Sequence, residues 1–367
     1  MTRHPFALAH VRRAPALDEI LRREILAAGV AECASVAWAR VGASGVRVAL
    51  GEAGGASLGE GARVYDLASV TKPLTATVVA RTIADGHLDW DTTVSAVLGE
   101  LSGSACADAT IAQLLSHRAG LPAWGVLYRE DPWALGEPRS VPPLGEVSAA
   151  QMLERAASRR GLPGQELYSD VGYVLLGEIA ARVTGAPLPR AWAALGCEDA
   201  RGRRAREPSI LARMPRTERV DWRGDVHGEV HDENAAVLLD AGGNPGHAGA
   251  FGTALEVAAF AARFLGALTR GDGLLPPEIA RAMVEPIPGG THALGWDRRS
   301  GARPSSGARF GPRTFGHLGF TGTSVWIDPD AGAIAVLLTN RTWPSRANVA
   351  IRDARPRVHD ALWAIEP

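Results

Sequence analysis

The octapeptide Leu67-Ala68-Ser69-Val70-Thr71-Lys72-Pro73-Leu74 contains the only lysine of a 367-residue chain. Lysine and arginine together number 39, and every other one of these cations is an arginine. Arginine keeps its proton near neutral pH, whereas a lysine in suitable surroundings can lose it. We interpret Lys72 as an amine retained to act as a base. Random replacement of lysines by arginines would explain the many arginines. It would not explain why the one remaining lysine lies three residues after Ser69.

Ser69 is predicted to open a helix that runs to about Ala84 and ends at Asp85-Gly86, since glycine readily takes the left-handed conformation of a helix end. Residues i and i+3 share a helix face, so Ser69 and Lys72 point the same way, with Ser69 at the positive end of the helix dipole. A neutral Lys72 amine there can accept the proton of the serine hydroxyl, which is a weak nucleophile without a base. We expect burial and the dipole to lower the pKa of Lys72.

A second motif, Leu167-Tyr168-Ser169-Asp170, precedes another predicted helix. The phenol of Tyr168 can shuttle a proton, and Asp170 places a polar side chain beside it. The alternative is that Tyr168 is a buried tyrosine with a satisfied hydroxyl and that Asp170 is the N-cap of the helix. Asp170 can also serve both as a cap and as part of a site.

A third motif, Gly316-His317-Leu318-Gly319-Phe320-Thr321-Gly322-Thr323, leads into a late strand. A glycine at this place lets a substrate lie against the strand edge, and the backbone N–H that follows can face an oxyanion. A glycine-rich bend of a sheet is the alternative. The three motifs follow one another about 100 and then about 150 residues apart, on the predicted elements, which makes coincidence a poor explanation.

These motifs resemble those of the serine β-lactamase and penicillin-binding-protein superfamily, and specifically its class C β-lactamase-like serine hydrolases, which carry the S-x-x-K spacing. That group includes D-alanyl-D-alanine carboxypeptidases, D-aminopeptidases and family VIII esterases. The resemblance covers the chain from about Leu17 to Ala364. Three further stretches support it: Leu114-Leu115-Ser116-His117-Arg118-Ala119-Gly120-Leu121-Pro122, Gly228-Glu229-Val230-His231-Asp232 and Gly246-His247-Ala248-Gly249.

The resemblance implies a serine hydrolase that works through an acyl-enzyme. By this similarity Ser69 is the acylated nucleophile, and Lys72 and Tyr168 are its base pair. The backbone N–H groups of Ser69 and Phe320 would form the oxyanion hole. The substrate-binding residues would include Asp170, where the family often has asparagine, together with His317, Leu318 and Gly319 of the third motif. Trp124 follows a Gly-Leu-Pro turn and is predicted to line the acyl pocket, although an ordinary half-buried tryptophan is an equal alternative.

Three departures from the family pattern affect the expected substrate. Asp170 adds a negative charge, Leu318 replaces the usual threonine hydroxyl, and His317 replaces the lysine of true class C β-lactamases. Each change weakens a site for an anion. We therefore expect an esterase of small neutral acyl esters. A β-lactamase or a D-amino-acid carboxypeptidase or aminopeptidase is the alternative, and a non-catalytic binder or sensor with this fold is a rival of another class.

The predicted architecture is a mixed α/β fold of the β-lactamase/transpeptidase type. An antiparallel sheet is built from both chain ends, residues 1–65 and 285–367, and is flanked by helices. Residues 66–284 form a mostly helical region that carries the first two motifs. The individual predicted segments are helices at 18–28, 111–116, 148–158, 172–184, 235–239, 254–268 and 345–364, and strands at 35–40, 46–50, 291–296, 313–315, 323–327 and 333–339.

Composition limits the remaining function classes. The net charge is −1, and no run of like charges suggests nucleic acid. No apolar stretch is long enough for a membrane span or a signal peptide, so we expect a cytoplasmic protein. From the family resemblance we expect a small-molecule ester or amide substrate and no cofactor. The three cysteines, Cys33, Cys106 and Cys197, have neither disulfide-framework nor metal spacing and are interpreted as free thiols.

Two segments that contain histidines could be interpreted as a metal site, but the evidence for this interpretation is weak. His227, His231, Asp232 and His247 lack the His-Glu-x-x-His order of zinc hydrolases, and a glycine follows His227. We expect no metal, and we interpret His231 and His247 as part of a loop wall near the active site. His117 is expected to make a structural hydrogen bond.

Overall fold

The computed structural model describes residues 8–42, 45–56, 58–59, 61–134, 136, 138, 140–143, 145–196, 207–271 and 274–367. The strands are β1 (Leu8–Arg13), β2 (Cys33–Gly42), β3 (Gly45–Gly54), β4 (Tyr65–Asp66), β5 (Glu218–Val220), β6 (Gly224–Val226), β7 (Phe251–Gly252), β8 (Asp297–Arg298), β9 (Phe315–Leu318), β10 (Ser324–Asp328) and β11 (Ala333–Thr339). The helices are α1 (Pro15–Leu21, continued by a π-helical turn Arg22–Leu26), α2 (Thr71–Ala84, preceded by a 3-10 turn Ala68–Val70), α3 (Val94–Val97, followed by a 3-10 turn Gly99–Leu101), α4 (Ile111–Leu115), α5 (Ala149–Ala157), α6 (Asp170–Thr184), α7 (Leu188–Ala194), α8 (Pro208–Leu211), α9 (Glu233–Asp240), α10 (Ala254–Arg270), α11 (Pro277–Val284) and α12 (Ile351–Leu362).

Seven strands form one sheet that joins the two ends of the chain. Their order is β1-β3-β2-β11-β10-β9-β8, and all pairs are antiparallel except β1 with β3. The C-terminal strand β11 pairs with the N-terminal strand β2 over seven residues, from Ala333 opposite Arg40 to Thr339 opposite Ala34. The predicted mixed fold, with a mainly antiparallel sheet built from both chain ends, is therefore confirmed.

Both faces of the central strands are buried, because helices cover the sheet on each side. Along β11, Ile334, Val336 and Leu338 pack into the core under α10, while Ala335 and Leu337 pack into the opposite core with α1 and α12. Side chains that alternate between two dry faces explain why β11 is an uninterrupted run of seven buried residues rather than an alternating one.

The helical part of the chain is built around α2. Every residue from 71 to 80 is buried, and α2 packs against α6, α7 and α11. A helix that is buried on all sides has a fixed position, so it can hold a functional residue at its N-terminus without relying on a loop. Ser69 lies in the 3-10 turn that leads into this helix.

Two sequence predictions about secondary structure are wrong. The segment Thr291–Trp296 is not a strand: it turns at Gly295, whose φ is +97°, and it passes so close to α2 that a Cβ on Gly295 would lie 2.2 Å from the Cβ of Ala76. The last helix begins at Ile351 rather than near Ser345, because carbonyl groups of the preceding loop accept hydrogen bonds from Arg341. Ten elements, most of them short, were not predicted: β1, β4, β5, β6, β7, β8, α3, α7, α8 and α11.

The domain boundaries of the sequence interpretation remain a prediction. The sheet strands come from residues 8–54 and 297–339, but α10, which lies within the predicted helical region, packs directly on β2, β10 and β11. Cys33 and Cys106 are buried free thiols, as expected, and Cys197 lies outside the described residues. None of the helices in the described part of the chain is long and apolar enough to cross a membrane.

Candidate active site

A strained turn delivers Ser69 to the start of α2. Ala68 adopts a φ of +47°, a conformation that costs a non-glycine residue roughly 1–2 kcal/mol. The buried carboxylate of Asp66 compensates, since its Oδ1 accepts the N–H of Ala68 at 2.7 Å and its Oδ2 accepts the N–H of His231 at 2.7 Å. The strain is thus held locally, one residue before the candidate nucleophile.

Lys72 is completely buried and donates three hydrogen bonds. Its Nζ lies 2.9 Å from Ser69 Oγ, 2.6 Å from Asp170 Oδ1 and 3.0 Å from the carbonyl oxygen of His247. An ammonium group has three donors and a neutral amine only two, so this set of acceptors fits the charged form. The sequence prediction that Ser69 and Lys72 point the same way is confirmed.

The prediction that the pKa of Lys72 is lowered is wrong. Burial does lower the pKa, but the Asp170 carboxylate and the Tyr168 hydroxyl favour the charged amine more strongly, so the pKa of Lys72 is raised above its ordinary value. The sequence argument considered burial and the helix dipole without a partner for the amine. The partner is the residue that replaces the asparagine usual in this motif.

Asp170 is therefore not the helix cap that it resembled. Ser169 is the N-cap of α6: its backbone is extended, and its Oγ accepts the N–H of Gly172 at 3.2 Å. Asp170 occupies the first helical position, which leaves its carboxylate free to pair with Lys72. A cap at Ser169 follows the ordinary preference for serine at that position.

Tyr168 is half-buried beside the lysine, whose Nζ lies 4.9 Å from the centroid of its ring. Burial raises the pKa of Tyr168, and the opposing effect of Lys72 does not overcome it, so the phenol keeps its proton near neutral pH. Three imidazole rings surround it, at centroid distances of 4.5 Å for His117, 5.4 Å for His292 and 6.1 Å for His317.

The positions of His117 and His317 bear on the roles that the sequence predicted for them. His117 Nδ1 accepts the N–H of Ser169 at 3.0 Å, which confirms its expected structural hydrogen bond. His317 lies buried behind Tyr168 with its Nδ1 2.9 Å from the carbonyl oxygen of Leu318, and burial holds its pKa well below the usual range. His317 is thus neutral, and it does not line the cavity in front of Ser69.

A cavity of about 670 Å³ opens in front of Ser69. Most of the residues singled out from the sequence line it: Ser69, Trp124, Tyr168, Asp170, Leu318, Gly319 and Phe320. His231 and His247 line it too, as the loop-wall interpretation predicted. His231 is uncharged, because burial lowers its pKa to about 3, while His247 Nε2 lies 2.9 Å from Asp232 Oδ1.

The third motif approaches the nucleophile turn very closely at Gly319. A Cβ on Gly319 would lie 1.9 Å from Thr323 Oγ1 and 2.6 Å from the carbonyl oxygen of Leu67. Glycine is required here for close contact between two backbone segments, and the sequence argument had assigned it only to contact with a substrate. Phe320, which follows, is about half exposed and lines the cavity.

Sequence patterns did not locate a group of arginines that the structure places in the cavity wall together with Phe320. Arg341, Arg352 and Arg355 line the cavity, and Arg341 and Arg355 are buried. Within the part of the chain that the structure describes, none of the three has a carboxylate partner, whereas Arg346 beside them is paired with Glu218 and Glu233. Burial and the charge of Arg341 lower the pKa of Arg355 to about 10. No periodicity or motif signals this grouping, because loop residues and one turn of α12 supply it.

Among the described residues, no three histidine, cysteine or acidic side chains are gathered as a metal would need. The candidate metal residues are separated in their contacts: the ring of His227 hydrogen-bonds the carbonyl of Met214, and that of His247 pairs with Asp232. The arrangement around Ser69 has elements of nucleophilic catalysis, namely a serine hydroxyl that is hydrogen-bonded to the buried amino group of Lys72.

Comparison with known proteins identifies the family of the chain. The family model described as Beta-lactamase matches residues 22–357. A putative D-alanyl-D-alanine carboxypeptidase of Escherichia coli O157:H7 is 27% identical over 315 residues, covering 76% of this chain and 69% of that protein. An N-acetylmuramyl-L-alanine amidase of Bacillus subtilis (strain 168) is 30% identical over 309 residues, covering 76% and 68%. The structure of a penicillin-binding protein homologue from Caulobacter crescentus superposes with a TM-score of 0.68 at 21% identity, covering 95% of this chain and 96% of that one.

Proposed function

Because the chain belongs to the beta-lactamase family of serine hydrolases, we propose that it hydrolyses an ester or amide through an acyl-enzyme on Ser69. The observation that carries the proposal is the 2.9 Å hydrogen bond between Ser69 Oγ and the Nζ of the only lysine. Both groups lie at the cavity of about 670 Å³, where a substrate carbonyl can approach Ser69.

The proposed reaction begins when the Lys72 ammonium group loses a proton to solvent water. Ser69 Oγ then bonds to the substrate carbonyl carbon, the serine proton passes to the neutral Lys72 amine, and the carbonyl electron pair moves onto its oxygen. The backbone N–H groups of Ser69 and Phe320 hold this oxyanion. Collapse breaks the bond to the leaving group, which takes its proton from Lys72 through the Tyr168 hydroxyl. Water attacks the acyl-enzyme by the same steps and frees Ser69.

Small neutral esters are the first candidate substrates. The cavity wall near Ser69 includes the apolar groups Ala123, Trp124, Leu318 and Phe320, which suit an acyl chain. His317 is neutral and Leu318 has no hydroxyl, so these two residues offer an anion neither a charge nor a hydroxyl. This candidate predicts that kcat/KM for p-nitrophenyl butyrate exceeds that for nitrocefin by at least about 10²-fold, or roughly 2.7 kcal/mol.

A substrate that carries a carboxylate is a second candidate, favoured by the arginines in the cavity wall. Arg341 and Arg355 are buried cations without a carboxylate partner among the described residues, and an anion in the cavity would stabilise both. The negative charge of Asp170, which argued against such a substrate, is compensated by Lys72 at 2.6 Å. A short peptide ending in D-alanine, or a β-lactam, carries the required group.

One set of measurements tests the function and separates the candidates. Reaction with a fluorophosphonate followed by mass spectrometry is expected to show an adduct on Ser69 and none in Ser69→Ala. Turnover of p-nitrophenyl butyrate, nitrocefin and a D-alanyl-D-alanine peptide is then compared in wild type and Arg355→Leu. Loss of peptide or nitrocefin turnover alone in Arg355→Leu supports the carboxylate candidate, and equal effects on all three substrates contradict it. An adduct on another serine would refute the proposed site.

A further inference from the structure

Two threonines connect the candidate oxyanion loop to the turn that carries the nucleophile. Thr321 Oγ1 donates to the carbonyl oxygen of Asp66 at 2.8 Å, and Thr323 Oγ1 donates to that of Leu67 at 2.9 Å. Both hydroxyls belong to residues that are almost fully buried, with exposed fractions of 1% and 0%. Two consecutive carbonyl groups of the nucleophile turn thus accept hydrogen bonds from two alternate side chains of the oxyanion loop.

We propose that Thr321 and Thr323 are positioning residues that fix the two halves of the oxyanion hole at a set separation, an inference that rests on the proposed acyl-enzyme function. Phe320, which would supply one oxyanion N–H, directly precedes Thr321. Ser69, which would supply the other, lies two residues after Leu67. The hydrogen bonds of the two threonine hydroxyls therefore join the segment that carries one N–H donor to the segment that carries the other.

The loop that carries Phe320 is held firmly on its other side. Gly322 N–H donates to the carbonyl of Gly319 at 3.0 Å and closes a tight turn around Phe320. Arg341 Nε donates to the carbonyl oxygen of Phe320 at 2.7 Å, and Thr339 Oγ1 lies 3.2 Å from that of Gly322. The turn is fixed to the sheet by these bonds, so the threonines determine how it is placed against the nucleophile turn.

Gly319 shows how close this contact is. Its missing Cβ would meet both members of the bond from Thr323 to Leu67, at 1.9 Å and 2.6 Å. The carbonyl of Leu67 also accepts the N–H of Val70 at 3.0 Å, within the turn that contains Ser69. One acceptor thus joins the nucleophile turn and the oxyanion loop. A small displacement of Thr323 would therefore be passed to the turn of Ser69 through a single short side chain.

The expected consequence is a loss of transition-state stabilisation without a comparable loss of substrate binding. Oxyanion donors act over about 2.7–3.1 Å from the developing charge, and removing one such donor costs about 10²- to 10³-fold in kcat. Displacing donors costs less than deleting one. We expect Thr323→Val, which keeps the volume and removes the hydroxyl, to lower kcat by about 10- to 100-fold with KM within about threefold.

The chain offers a matched control for a lost buried threonine hydroxyl. Thr77 is equally buried in α2, and its Oγ1 donates to the carbonyl of Pro73 at 2.8 Å, within its own helix. Thr77→Val removes a bond of the same kind and is expected to destabilise the fold similarly, while kcat stays within about twofold of wild type. Thr323→Ser, which restores the hydroxyl, is expected to recover most of the activity.

The test compares wild type, Thr323→Val, Thr321→Val, Thr323→Ser, Thr77→Val and Ser69→Ala. Readouts are kcat and KM for p-nitrophenyl butyrate, thermal midpoints, and the second-order rate of fluorophosphonate labelling. In labelling, the bond from Ser69 Oγ to phosphorus forms, the phosphorus–fluorine bond breaks, fluoride leaves, and the serine proton passes to Lys72. The phosphoryl oxygen occupies the oxyanion hole, so this rate reports the hole even when ester turnover is slow.

A fall in kcat and in labelling rate for Thr323→Val, absent in Thr77→Val at a similar thermal midpoint, supports the inference. Labelling and kcat within twofold of wild type in both Thr321→Val and Thr323→Val would overturn it and leave the proposed function intact. A labelled or active Ser69→Ala enzyme would instead overturn the proposed function, and this inference with it.

Discussion

Replacing Asp170 with asparagine tests the electrostatic core of the site. The change keeps the shape of the side chain and its hydrogen bond to Lys72, but it removes the negative charge that lies 2.6 Å from Nζ. Because this carboxylate raises the pKa of Lys72 against the effect of burial, its loss leaves burial dominant and lowers the pKa below the ordinary lysine value. Lys72 then loses its proton, and becomes an active base, at a lower pH than in the wild type. The acid limb of the pH–rate profile therefore moves to lower pH.

The size of the shift follows from the distance. At an effective dielectric constant of about 20, two unit charges 2.6 Å apart attract by roughly 6 kcal/mol, before the cost of desolvation. The Asp170 side chain is 23% exposed, so solvent reduces this value. Opposite charges at such distances shift a pKa by about 1–3 units, which corresponds to about 1.4–4 kcal/mol. We therefore expect the acid limb of kcat/KM to move down by about 1–3 pH units in Asp170→Asn.

The assay is the pH dependence of kcat/KM for p-nitrophenyl butyrate, corrected for spontaneous hydrolysis, and of fluorophosphonate labelling. Glu178→Gln is the control, since it removes a carboxylate from the same helix whose partners are Arg182 and Asn244. Its acid limb is expected to match that of wild type. An acid limb in Asp170→Asn that stays within about 0.3 units of wild type would show that Lys72 is not the titrating base, and the reasoning from the ion pair would fail.

Three further substitutions address the remaining parts of the site. Lys72→Arg keeps a cation that does not release its proton, so turnover should fall below about a tenth of wild type, a barrier difference above roughly 1.4 kcal/mol, while circular dichroism shows an intact fold. Tyr168→Phe should lower kcat by about 10²- to 10⁴-fold if the phenol moves the proton of the leaving group, and a normal rate would remove Tyr168 from the mechanism. Gly319→Ala must displace Thr323 or Leu67, so we expect a lower thermal midpoint and little Ser69 labelling; Gly103→Ala, at a glycine with no atom within 4 Å of its added Cβ, should leave both measurements unchanged.

The sequence determined the parts of this protein that depend on short-range order. The spacing of Ser69 and Lys72 fixes a shared helix face, because a helix repeats every few residues whatever surrounds it. The β2 and β3 strands and the long C-terminal strand β11 were predicted in place, since alternation and apolar runs record burial directly. The order of the three motifs identified the family before any contact was known.

Only the tertiary structure decided which partners those residues meet. Nothing local distinguishes an aspartate that caps a helix from one that pairs with a lysine 98 positions away, and the pairing reversed the expected pKa shift. The charge available to a substrate was also hidden, because Arg341 and Arg355 reach the cavity from a loop and from α12. The sequence therefore identified the reacting groups, while their protonation and the charge facing a substrate depend on interactions between segments distant in the chain, which local sequence patterns do not encode.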